Sequence, residues 1–64
     1  MLKDKKVLVV GAAGLLGAAL VRELLLNGAC VVAADIAFYR LTNRLDHLGV
    51  DVNNSNITLK QIDL

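Results

Sequence analysis

Residues Val7–Val21 read VLVVGAAGLLGAALV. Four apolar residues, Val7, Leu8, Val9 and Val10, run into three evenly spaced glycines, Gly11, Gly14 and Gly17, and an apolar pattern of helical period opens directly behind them. A short β-branched run closed by glycine predicts a strand covered on both faces, as in the centre of a parallel sheet. The turn is expected to leave backbone N–H groups unpaired. The helix behind it points the positive end of its dipole at the same spot, which makes the junction a place to hold phosphate.

The rest of the chain repeats this alternation. From Leu15 to about Asn27, Leu16, Leu20, Val21, Leu24 and Leu25 recur at three- and four-residue spacing, with Arg22, Glu23 and Asn27 opposite them. That spacing predicts an amphipathic helix whose leucine face lies on the sheet, with Gly28 as its stop. Ala29–Ala34 predicts a second buried strand ending at Asp35, with Cys30 as a buried thiol. From Ala37 to His47 the recurrence of Phe38, Leu41 and Leu45, continued by Leu48, predicts a second helix, ended by Gly49. Asn53-Asn54-Ser55 is turn chemistry. Ile57–Ile62 predicts a third strand, ending at Asp63-Leu64. The expected class is α/β: the N-terminal β-α-β-α-β half of a doubly wound parallel-sheet Rossmann fold. Residues 1–64 then form a partial dinucleotide-binding domain.

Composition bounds what such a chain can be. It has 64 residues, 56% hydrophobic, with a formal net charge of +1 and two aromatic residues, Phe38 and Tyr39. Domains of this size bury only about 60% of their unfolded surface, and many rely on a disulfide, a metal or a partner. One cysteine permits no internal disulfide, and no His/Cys grouping suggests a metal. The expectation is a piece of something larger. Near-neutral charge argues against a nucleic-acid partner. Lys3, Lys5 and Lys6 ahead of an apolar run imitate a secretory leader. Three glycines and the Arg22-Glu23 interruption oppose that reading, as does Asn27 at the place where a lipoprotein signal ending at Cys30 wants an aliphatic residue. No run approaches the roughly 20 apolar residues of a membrane span, so a cytoplasmic protein without a membrane partner is expected.

Three contextual features make the glycine triplet specific. It follows a strand, it opens a helix, and an acid closes the next strand 18 residues past Gly17, near the roughly 20 expected of a ribose-binding carboxylate. Gly11 then permits the turn, Gly14 lets the backbone approach a pyrophosphate, and Gly17 lets helix and strand pack closely. Leu15 and Leu16, at the head of the helix, join them as cofactor-binding candidates. Asp35 would accept hydrogen bonds from the adenosine ribose and repel a 2′-phosphate, favouring NAD over NADP. Arg40 is the one nearby residue that could pair with a 2′-phosphate instead. His47, alone on a helix, reads as a surface or packing residue.

At these residues the chain resembles the short-chain dehydrogenase/reductase family. The spacing Gly11-x-x-Gly14-x-x-Gly17 is similar to its extended and atypical branches. The classical branch usually has three residues between the first two glycines and Thr before the first, where this chain has Val10. The resemblance spans essentially all 64 residues. It implies that Asp63 contacts the adenine amino group and that Leu64 lies beside the ring. It also implies an NAD-dependent oxidoreductase carrying out hydride transfer at a carbinol or carbonyl, with a nucleotide-linked sugar as one plausible substrate, and a homo-oligomer formed through helices outside this segment. The family's chemistry needs a Tyr-x-x-x-Lys pair, because hydride transfer to a carbonyl requires a proton donor made acidic by a cation. Tyr39 is followed four residues on by Asn43, so these residues contain no catalytic group of that kind. A non-catalytic dinucleotide-binding regulator or sensor is the alternative.

Overall fold

The computed structural model describes residues 2–63. Its elements follow the expected order: β1 (Lys6–Val10), α1 (Leu15–Leu26), β2 (Cys30–Asp35), α2 (Phe38–His47) and β3 (Ile57–Gln61). The three strands form one parallel sheet in the order β1-β2-β3. Val7 stands opposite Val31 and Val9 opposite Ala33, while Val31 pairs with Ile57 and Ala33 with Leu59. Side chains alternate across a strand, so these six residues share one face.

Both helices cover that face. Ala18 and Val21 of α1 and Leu41 and Leu45 of α2 join Val9, Val31, Ala33 and Ile57 in a single buried cluster, with Val7, Leu24, Leu25, Leu48 and Leu59 packed around it. Because the strand order runs steadily in one direction and both helices lie on the same side, the two crossovers have the same hand, as parallel β-α-β connections do. A hydrogen bond from Arg22 Nε to the Leu48 carbonyl at 3.2 Å ties the side of α1 to the end of α2.

Three sequence expectations change at this level. β1, at the sheet edge as a three-strand segment requires, is covered on one face rather than both: Val9 is buried, whereas Leu8 is 62% exposed and Val10 is also exposed. Only part of the predicted apolar stripe of α1 lies on the sheet: Val21, Leu24 and Leu25 pack on the core, and Leu16 and Leu20 do not. Leu16 is 88% exposed and Leu20 about half exposed, and the inward face is built from Ala18 and Val21 with Leu24 and Leu25 half-buried. The head of α1 meets the first turn through Gly17, where a Cβ would run into the Gly11 carbonyl and the Ala12 Cα, and through the buried Ala18. Cys30 is exposed rather than buried, because it shares the uncovered sheet face with Leu8 and Val32 through the Lys6–Cys30 and Leu8–Val32 pairings.

An apolar edge strand beside an uncovered apolar face is a template for pairing with another chain. The 64-residue polypeptide is therefore expected to show concentration-dependent self-association in sedimentation velocity. Leu8→Lys should shift it toward monomer. A wild-type chain that remains monomeric at high concentration would contradict this expectation.

Candidate functional site

The β1–α1 junction is organised by its backbone. Gly11 sits at φ +76°, in the left-handed region, a conformation costing a residue with a side chain about 1–2 kcal/mol. Its N–H and that of Ala12 both donate to the Ala34 carbonyl, at 2.9 and 3.1 Å, and the Gly14 N–H donates to the Gly11 carbonyl at 3.1 Å. The Ala13 N–H donates to Asp35 Oδ2 at 3.0 Å. Every N–H of the turn from Gly11 to Gly14 thus has an acceptor, contrary to the expectation that the turn itself offers free donors.

The free donors lie one step further along. Gly14 is the N-cap of α1 with extended backbone and no side-chain cap, and no acidic residue occupies the first helical turn. The first bond into the helix is Ala18 N–H to the Gly14 carbonyl at 2.9 Å. The N–H groups of Leu15, Leu16 and Gly17 have no backbone or side-chain acceptor among the described residues. These are the orphan donors of a helix start, at the positive end of its dipole. Leu15 and Leu16 therefore serve as candidates through their backbones, while their side chains point into solvent.

The three glycines have different physical grounds. A Cβ on Gly17 would stand 2.4 Å from the Gly11 carbonyl oxygen and 2.9 Å from the Ala12 Cα. Both are backbone atoms that cannot swing away, so the close helix–turn packing expected of Gly17 is present. A Cβ on Gly14 would meet only the Gly11 oxygen, at 3.4 Å. Nothing inside the chain demands glycine there, so any need for it comes from something approaching from outside.

Asp35, the last residue of β2, stands beside this turn. Oδ2 accepts from Ala13, and Oδ1 accepts from the Ala37 N–H at 2.9 Å, so one carboxylate grips the glycine turn and the entry to α2. The Ala37 and Ala13 hydrogen bonds, in that order, lower the Asp35 pKa below its ordinary value; partial burial opposes this and the Arg40 charge assists it. Hydrogen bonds to the ionised form make it the favoured one. With a depressed folded pKa, the stabilisation is fully present above the ordinary aspartate range of about pH 4 and disappears as pH falls through the lower folded value. Urea titrations across that acidic window should show a loss of stability in the native chain that is absent in Asp35→Asn. An identical acid profile in both would exclude Asp35 as its source.

Asp35 also fixes the sheet's C-terminal end on its other side. Its carbonyl accepts from the Ile62 N–H at 3.3 Å, and Gln61 Nε2 donates to the Ile36 carbonyl at 3.1 Å. Asp63, exposed, follows Ile62 and so lies at the same end of the sheet as Asp35 and the glycine turn. Leu64 lies outside the described residues. An open groove of about 490 Å3, lined by Ile36, Ala37, Phe38, Tyr39, Arg40 and Gln61, adjoins Asp35 there. Of these residues the sequence singled out only Arg40 for a ligand contact, and Ile36, Ala37, Phe38, Tyr39 and Gln61 were not foreseen as groove residues. The signal available was their position immediately after Asp35 and at the end of the third apolar run.

Of the other residues weighed from the sequence, Tyr39 only lines that groove and His47 lies apart. Tyr39 is 84% exposed on the first turn of α2. The His47 Nδ1 is 2.9 Å from the Asn43 carbonyl, on the exposed side of the same helix. No group of three or more His, Cys, Asp or Glu residues able to hold a metal exists among the described residues, and no described helix is long and apolar enough to cross a membrane. No protein-family model matches the chain, nor does any curated protein.

Proposed function

We propose that this chain is the NAD-binding N-terminal portion of an oxidoreductase resembling the short-chain dehydrogenase/reductase family, its sheet forming half of a doubly wound Rossmann fold. The observation that carries the reading is the juxtaposition at one sheet end. Three consecutive unpaired N–H groups, of Leu15, Leu16 and Gly17, open α1, and the strand-end acid Asp35 is hydrogen-bonded to the adjoining turn. The donors suit a pyrophosphate. Asp35 retains lone pairs beyond the two it commits to Ala13 and Ala37, and these suit ribose hydroxyls. Its charge disfavours a 2′-phosphate, and the groove from Ile36 to Arg40 offers room for the adenosine end, with Asp63 at the same end of the sheet. The cofactor would supply hydride chemistry. The residues here bind and orient it, and the proton donor belongs to another part of the protein.

Gly14 separates binding from folding. Since its Cβ meets one atom at 3.4 Å and replacing a glycine N-cap by alanine is a small local change, Gly14→Ala should keep stability within about 1 kcal/mol. The same methyl group would stand where the pyrophosphate must approach, so NAD affinity should fall by at least about tenfold through lost hydrogen bonds to a charged group. Paired urea melts and NAD titrations of the two chains measure both quantities. Unchanged NAD affinity in a folded Gly14→Ala chain would reject the phosphate site.

A further inference from the structure

We infer that Asp35 is a positioning residue for the anion site, holding the glycine turn in its binding shape before any ligand arrives. This goes further than a ribose contact, and its functional half rests on the dinucleotide reading above. Two observations carry it. The Ala13 N–H, in the middle of the turn between Gly11 and Gly14, has the Asp35 carboxylate as its acceptor across 22 residues of sequence. The other oxygen of that carboxylate takes the Ala37 N–H at the entry to α2, where Ala37 is the N-cap and brings no side-chain cap of its own. One side chain therefore joins the β1–α1 turn to the β2–α2 turn.

The Gly11 and Ala12 N–H groups hang on the Ala34 carbonyl, one residue before Asp35. The turn is thus fastened to β2 at both its first and its middle residues. Without the Asp35 acceptor, the Ala13 peptide is free to rotate, and it leads directly into Gly14 and the three donor N–H groups. The acid that would exclude a 2′-phosphate is then the same group that shapes the pyrophosphate cradle, so the two properties change together.

The test sets this role against simple electrostatics. Removing a negative charge beside an anion site should strengthen anion binding, whereas removing a clamp should weaken it. The probe is inorganic pyrophosphate, which has no ribose for Asp35 to hold, titrated into the native chain and Asp35→Ala, which lacks both acceptor oxygens, and followed at the Leu15, Leu16 and Gly17 amides. Weakening by at least about fivefold, the scale of a lost charge-assisted hydrogen bond, is expected in Asp35→Ala. Equal or tighter binding would overturn the inference.

The ligand-free arm stands independently of the dinucleotide reading. In the native chain a through-hydrogen-bond coupling between the Ala13 nitrogen and the Asp35 side-chain carboxyl carbon is expected, and Asp35→Ala should accelerate Ala13 amide exchange by at least about tenfold while leaving Val21 protected. Absence of the coupling in the native chain, which needs no variant to fold, would overturn the clamp. An intact clamp with no pyrophosphate binding by the native chain would overturn the functional half and the phosphate reading together.

Discussion

Gly17→Ala is expected to abolish cooperative folding of the chain, or to lower its stability by about 3 kcal/mol or more, the upper end of what overpacking costs. Alanine is the better helix former by about 1 kcal/mol, so helix propensity alone predicts stabilisation. Packing reverses the sign. The added methyl would lie 2.4 Å from the Gly11 carbonyl oxygen, 2.9 Å from the Ala12 Cα and 3.1 Å from the Gly11 carbonyl carbon. All three atoms belong to a turn already fastened to β2 by the Gly11 and Ala12 N–H bonds to Ala34, so neither side can yield cheaply. A domain of this size has roughly 3–10 kcal/mol to lose. Urea denaturation followed by circular dichroism measures the effect, with Gly14→Ala as the neutral comparison. A Gly17→Ala chain as stable as the native one would show that the helix does not pack against the turn this closely.

Leu41→Ala should cost about 2–5 kcal/mol, the range for a buried leucine truncated without full collapse around it. Helix α2 is ten residues long, FYRLTNRLDH, and helices that short are marginal alone in water. Its fully buried anchors are Leu41 and Leu45, both inaccessible to solvent in the cluster with Val21 and Val31. Losing one of them should release α2 from the sheet and expose Ile57 and Val31. Leu16→Ala, on a side chain 88% exposed, should leave stability nearly unchanged although it removes the same atoms. Thermal or urea melts of the two variants compare the core with the surface directly. Equal costs would contradict the orientation of α1.

The elements themselves were legible in the sequence because local signals agreed. β-branched runs, glycine stops and three- to four-residue periodicity placed all five within one or two residues of their ends, and Leu41 and Leu45 were found as the inward residues of α2. What the sequence did not show was coverage. Leu16, Leu20 and Cys30 were assigned to the interior on hydrophobicity, yet their exposure depends on which sheet face the helices occupy and how closely α1 approaches. For the candidate site, the sequence showed which residues converge at one sheet end and not the hydrogen bonds among them. Gly17 and Asp35 were identified from spacing, but the occupation of the turn's own donors, and the Asp35 link to Ala13, arise from contacts across 22 residues that no local pattern encodes. The free donors consequently lie at Leu15, Leu16 and Gly17 rather than in the turn.

The most direct test of the account is a titration of the native chain with NAD, followed residue by residue through its backbone amides. Saturable shifts are expected of the Leu15, Leu16 and Gly17 amides together with Ala13 and Ala37, whose N–H groups are held by Asp35, and weaker shifts with NADP at the same concentration. Amides at Leu15, Leu16 and Gly17 that stay unmoved at millimolar NAD, in a chain whose Val21 and Val31 amides show it folded, would contradict the claim that this sheet end binds a dinucleotide.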